Sequence, residues 1–78
     1  MHEAQPAHTT IRERDAARYI DFSDTWMRQA RMRGTGPAYI RIGRTIRYRL
    51  SDLDAFLARH RVETRDSRTR REAETARA

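Results

Sequence analysis

Gly34-Thr35-Gly36-Pro37-Ala38-Tyr39-Ile40-Arg41-Ile42-Gly43-Arg44-Thr45-Ile46-Arg47-Tyr48-Arg49-Leu50 is the stretch on which the fold turns. Gly34 to Pro37 is a loop by composition. Ala38, Ile40 and Ile42 then alternate with Tyr39 and Arg41, and Ile46, Tyr48 and Leu50 alternate with Arg47 and Arg49. A period of two on both sides of Gly43-Arg44-Thr45 predicts a two-stranded β-hairpin, with Gly43 supplying the permissive backbone of the turn. A three-residue turn pairs Ile42 with Ile46 and sets Ile40 opposite Tyr48 on one buried face. The same register brings Arg41 and Arg47 together on the exposed face. Like charges directly opposite repel, which makes sense where an anion sits between them.

Upstream of the hairpin, Ser23 is a favoured N-cap and Gly34 a favoured residue just past a helix end, which predicts a helix over Asp24–Arg33. Phe22 is placed to staple onto Met27. Asp21-Phe22-Ser23 is a tight break, and before it a Thr10-x-x-Glu13 capping box predicts a helix running to Ile20, with Ala16, Ala17 and Ile20 inward. Two short helices about three residues apart form a helix-turn-helix. Downstream, Ser51-Asp52-Leu53-Asp54 reads as the cap of a third helix, its acids favoured in the first turn by the helix dipole. Leu53, Phe56, Leu57 and His60 make its apolar stripe. The expected organisation is a flexible tail over 1–10, a domain over 11–62, and a charged tail over 63–78 that is a frayed helix or disordered. The fold class is a small α+β domain of three short helices and one hairpin.

Seventy-eight residues bound a single small domain. The chain has no cysteine, so neither a disulfide framework nor a thiolate metal site can support its core. No apolar run reaches the roughly 20 residues a membrane span needs, and Met1-His2-Glu3-Ala4 lacks the pattern of a signal peptide. The expected location is the bacterial cytoplasm, at the nucleoid. The 17 basic residues are all arginine, and against 11 acids they leave a formal net charge of +6. That charge is localised. Met1–Met27 holds three Arg and five acids, and Leu50–Ala78 seven Arg and six acids, whereas Arg28–Arg49 holds seven Arg and no acid. The window reads as one surface made for a polyanion. A merely solvated basic face is the alternative, but solvated faces usually mix both signs.

Asp15-Ala16-Ala17-Arg18-Tyr19-Ile20-Asp21-Phe22-Ser23 resembles the "EAAxYLGVS" opening of excisionase-type and AlpA-type DNA-binding proteins. Gly34 to Arg44 is similar to their "GxGPxYIKIGR" wing. Ile46-Arg47-Tyr48 followed by Ser51-Asp52-Leu53-Asp54-Ala55-Phe56-Leu57 is similar to their "VRYxxSDLDAWL" close. The likeness runs from about Ile11 to Arg61 with its spacing intact. It implies a MerR-like winged helix-turn-helix whose second helix enters the major groove and whose hairpin wing lies along flanking phosphates or the minor groove. It also implies a recombination directionality factor that helps an integrase excise a mobile element, or else a small transcriptional regulator. Many members carry Thr-Leu-x-x-Trp across positions 26 to 30. Here Trp26-Met27 is followed by Ala30, a packing swap by one helical turn.

With Met27 and Ala30 inward, Asp24, Thr25, Arg28 and Gln29 fall on the outer side of the second helix. Arg suits guanine and Gln suits adenine in bidentate readout, so Thr25, Arg28 and Gln29 are the candidate base-reading residues. Ser23, Arg31, Arg33, Arg41, Arg44, Arg47 and Arg49 are the candidate backbone contacts, which set register and affinity rather than sequence. Trp26 is either a groove contact or a packing anchor, and Tyr39 and Tyr48 are read as hairpin packing. No catalytic, cofactor or metal site is expected. His2, His8 and His60 are scattered, Asp52 and Asp54 read as a cap, and no nucleophile has a nearby base. The expected partner is double-stranded DNA, with an integrase and further copies of the chain on DNA as possible others and no membrane. A basic RNA-associated adaptor is the competing class, although RNA readers present aromatic sheets or clamp loops and only two short strands are expected here.

Overall fold

The computed structural model describes the backbone of residues 9–77 and the side chains of residues 9–75. Residues 1–8, most of the expected N-terminal tail, and residue 78 lie outside it. The elements run β1 (Thr10–Arg12), α1 (Glu13–Tyr19), α2 (Asp24–Arg33), β2 (Ile40–Ile42), β3 (Thr45–Arg49), α3 (Leu50–Arg59) and α4 (Arg65–Arg77). Among the described residues these make a small α+β domain with four helices and a three-stranded antiparallel sheet in the order β1-β3-β2. That is one helix and one strand more than the three helices and two strands expected.

The extra strand displaces a predicted cap. Thr10, Ile11 and Arg12 pair with Arg49, Tyr48 and Arg47 of β3, so Thr10 lies in a strand and caps no helix. The N-cap of α1 is Arg12, with no side-chain cap bond, and the Glu13 carboxylate is used elsewhere. The break between α1 and α2 is built as expected, and its chemistry is visible. Phe22 N–H donates to the Ala17 carbonyl at 2.8 Å and Asp21 N–H to the Arg18 carbonyl at 3.1 Å. These are the two bonds of a Schellman termination. The left-handed residue it requires is Asp21, at φ 62°, where glycine is the usual choice. Ser23 then caps α2 by accepting the Trp26 N–H at 3.0 Å. Gly34, at φ 75°, ends the helix in the same way. Trp26 is a packing anchor: its ring stands edge-on to Phe22, at 4.3 Å between centroids, and to Phe56, at 6.1 Å.

The hairpin departs from expectation by one residue. Ile42 pairs with Thr45, Arg41 with Ile46 and Ile40 with Arg47, so the turn is the two residues Gly43-Arg44. Gly43 has φ 61° and Arg44 does not have a positive φ, the pattern of a type II′ turn with glycine first. Because side chains alternate across a strand, a slip of one residue moves every partner to the other face. Ile46 and Tyr48 face the core with Ile11 beside Tyr48. Ile40 and Ile42 therefore share the opposite face, and Ile42 is 68% exposed. Arg41 and Arg47 lie on opposite faces, so the predicted repulsive pair is absent.

Ala16, Ala17, Ile20, Met27, Tyr48, Leu53 and Phe56 form one buried cluster joining α1, α2, β3 and α3. α3 follows β3 without a loop, and its N-cap is Arg49 with no side-chain bond. Ser51 and Asp52 thus sit inside the first turn, and the predicted Ser51 cap is not formed. Asp54 accepts a hydrogen bond from the Tyr19 hydroxyl at 2.8 Å, tying α3 to α1. Leu53 and Phe56 are buried, whereas Leu57 is 42% exposed and His60, past the helix end, is exposed. α4 opens on a reciprocal cap: Thr64 N–H donates to Ser67 Oγ at 2.9 Å, and Ser67 N–H to Thr64 Oγ1 at 3.2 Å. Glu63 holds Arg71 through two bonds of 3.0 and 3.1 Å. Along α4 the described side chains are exposed except Ser67.

Candidate nucleic-acid interface

The fold gives α2 one buried and one open side. Met27 and Ala30 are buried, Trp26 and Arg31 are half-buried, and Thr25, Arg28, Gln29, Met32 and Arg33 are exposed. Thr25, Arg28, Gln29 and Met32 fall at i, i+3, i+4 and i+7, which at about 100° per residue is a single stripe. Its centre lies opposite Met27 and Ala30. Helical period had already singled out Thr25, Arg28 and Gln29. Met32 was passed over, although its spacing from the other three was the available signal. It is 74% exposed.

Arg31 stands apart from the other arginines of the acid-free window. It projects inward, with Nε 2.6 Å and Nη2 3.3 Å from the Glu13 carboxylate, and its guanidinium lies 6.0 Å from the centroid of the Tyr39 ring. The hydrogen bond to Glu13 pushes its pKa up. The Tyr48 hydroxyl donates to the same carboxylate at 3.0 Å. Burial, then that bond, holds its pKa well above the ordinary tyrosine value. One carboxylate thus joins α1, α2 and β3. Of the seven arginines in the window, Arg31 alone is paired with a carboxylate among the described residues, through Nε and Nη2, which gives it a structural role in joining α2 to α1.

The remaining six arginines of the window, Arg28, Arg33, Arg41, Arg44, Arg47 and Arg49, have no carboxylate partner among the described residues. Arg28 and Arg33 are on α2, Arg44 is in the hairpin turn, and Arg41 and Arg47 are on opposite faces of the hairpin. Arg47 is half-buried and donates from Nη1 to the Ile46 carbonyl at 3.0 Å. The register also places Arg12 directly beside Arg47, an adjacency invisible until β1 is known. Asp15 holds the Arg12 guanidinium at 3.2 Å. Ser23 spends its oxygen lone pair on the helix cap, and its hydroxyl proton stays available as a donor at the N-terminus of α2.

A glycine sets how the hairpin is reached from α2. A Cβ on Gly36 would stand 2.9 Å from the Ala30 Cβ, so the loop runs directly against the buried side of the helix. The loop that leads into the hairpin is thereby seated on α2, with Tyr39 beside the Arg31 guanidinium. Among the described residues no helix is long and apolar enough to cross a membrane.

No curated protein matches the chain. Residues 12–61, which run from the end of β1 to just past α3, match the helix-turn-helix domain family. With two helices across a tight break and an open stripe on the second, the chain belongs to that family of DNA-binding domains.

Proposed function

We propose that the chain is a sequence-specific double-stranded DNA-binding protein, a winged helix-turn-helix of the MerR-like kind, in which α2 lies in the major groove. Thr25, Arg28 and Gln29 face base edges. Arg41, Arg44, Arg47 and Arg49 of the hairpin, with Arg33 and Ser23 of α2, contact phosphates. The observation that carries this reading is the exposed stripe on α2 opposite the core, flanked by arginines that no carboxylate among the described residues neutralises. Five such arginines besides Arg28 correspond to a slope of log K against log salt of about −4 to −5. Arg28→Ala and Gln29→Ala change which sequences are selected from a random duplex library. Arg44→Ala lowers affinity evenly across sequences and flattens the slope by about one. A slope near zero would sink the proposal.

Seven residues of helix rise about 10 Å, which spans about three base pairs at 3.4 Å each. So short a reading face favours repeated sites and several copies per DNA molecule, with self-association on the duplex. The sequence likeness to excisionase-type proteins supplies the biological role: an architectural factor that helps an integrase excise a mobile element. Excision by the cognate integrase, scored as newly joined DNA ends, rises with the protein present and falls with Arg28→Ala. Should excision be indifferent to the protein while transcription from a promoter holding the same site responds, the regulatory role of this fold replaces the recombination role.

A further inference from the structure

Met32 is an anomaly on α2. Every other residue of the open stripe is polar, and the side chain is 74% exposed with no place in the core. It lies about 20° around the helix from Thr25, about 40° from Arg28 and about 60° from Gln29. It therefore lies in the middle of the stripe's width, at its C-terminal end, one turn beyond Arg28. An apolar group at an edge of the interface could rest against sugar or solvent. One in the middle of the width of a groove-facing stripe points into the groove, toward base edges. In the major groove the polar edges are donors and acceptors, and the outstanding apolar feature is the C5-methyl of thymine. A thioether side chain is unbranched and adaptable, so it can follow a methyl group without a preformed pocket.

We propose that Met32 determines specificity by packing on a thymine C5-methyl, within about two base pairs of those faced by Arg28 and Gln29. The distance follows from helical rise, since Met32 is four residues from Arg28, or about 6 Å along the axis. The inference rests on α2 being the reading helix, and the test keeps the two ideas apart. Duplexes are first selected from a random library with the unaltered protein, Arg28→Ala and Gln29→Ala. In the duplex selected by the unaltered protein, each thymine in turn is then replaced by deoxyuridine, which removes only the methyl. One replacement weakens binding about fourfold, the worth of one buried methyl-sized group. Met32→Ala binds the thymine and uracil duplexes equally well, keeps the salt slope and keeps its melting temperature, as expected for an exposed side chain.

The proposal is overturned if no single thymine is sensitive, or if Met32→Ala retains the same uracil penalty as the unaltered protein. If Arg28→Ala and Gln29→Ala select the same sequences as the unaltered protein, α2 is not the reader and both proposals fall. If those two variants change the selection while uracil sensitivity ignores Met32, only the inference about Met32 falls. A Met32→Ala variant that instead loses self-association without DNA would assign the side chain to a protein contact, and would likewise overturn it.

Discussion

Removing the Glu13 carboxylate tests whether the fold is assembled as described. Glu13→Ala leaves two groups without partners, the Arg31 guanidinium and the Tyr48 hydroxyl. Breaking a buried ion pair by deleting one partner costs about 3–5 kcal/mol. Here the Arg31 and Glu13 side chains are 15% and 22% exposed, so the low end, about 3 kcal/mol, applies. An orphaned buried hydroxyl adds about 1 kcal/mol or more. The two terms share a partner and are not additive, so about 3–4 kcal/mol is expected in total. A chain of this size has about 4–12 kcal/mol of stability in all, and each kcal/mol moves the melting temperature by about 4–8 °C. Glu13→Ala should therefore melt at least about 12 °C lower, followed by circular dichroism. The pairing of Glu13 with Arg31 is then isolated by a double-mutant cycle with Arg31→Met, where a coupling of about 1.5 kcal/mol or more is expected. Replacing both partners, Glu13→Leu with Arg31→Met, recovers much of the loss because no charge is left buried alone. A Glu13→Ala variant within about 0.5 kcal/mol of the parent, or a coupling near zero, would refute the hub and return Arg31 to the surface.

Gly36→Ala places a Cβ 2.9 Å from the Ala30 Cβ, and since neither group can rotate away the cost is about 1–3 kcal/mol in urea unfolding. Ala30→Gly in the same chain relieves the clash but itself costs about 1 kcal/mol in the helix interior, so the two together should lose less than the sum of their separate losses. Asp21 pays for a left-handed backbone at φ 62°, and Asp21→Gly should raise stability by up to about 1 kcal/mol; a loss would mean the Asp side chain contributes more than its strain. Tyr48 has a folded pKa raised above the ordinary 10.0, so the unfolded chain loses this proton first. Stability from this group is complete below about pH 10 and declines above it by up to about 1.4 kcal/mol per pH unit. Tyr48→Phe, less stable than the parent at about pH 9, should close that gap by about pH 11, and parallel curves would contradict the assignment.

Period and capping chemistry explain what was legible in the sequence. Ser23 and Gly34 bracket α2 as read, and Ala16, Ala17, Ile20, Met27, Ala30, Leu53 and Phe56 are buried as their spacing predicts. Each of these inferences needs only residues within about one helical turn. Thr10-x-x-Glu13 satisfies the same kind of local rule and fails, because Glu13 is claimed by Arg31 and Tyr48, which are 18 and 35 residues away. The strand that replaces the predicted cap is three residues long and exists only as a partner of β3. No periodicity can be read from so short a segment.

The hairpin lies between these cases. Alternation announced both strands, but alternation alone leaves the register open, because turns of two and of three residues preserve the pattern equally. Gly43 in the first position of a two-residue turn was the signal that separates them. The electrostatic consequence is larger than one residue suggests. Counting charges along the chain treats all seven arginines of the acid-free window as one surface. Pairing holds the half-buried Arg31 on Glu13, and the slipped register parts Arg41 from Arg47. Arg41 and Arg47 can therefore both meet DNA only if the hairpin enters it edge or tip first, with a strand of the backbone on each side. A wing lying flat on one phosphate row would use one of the pair. Arg41→Ala and Arg47→Ala consequently discriminate the two modes: each flattens the salt slope by about one if the tip enters, and only one of them does so if the wing lies flat.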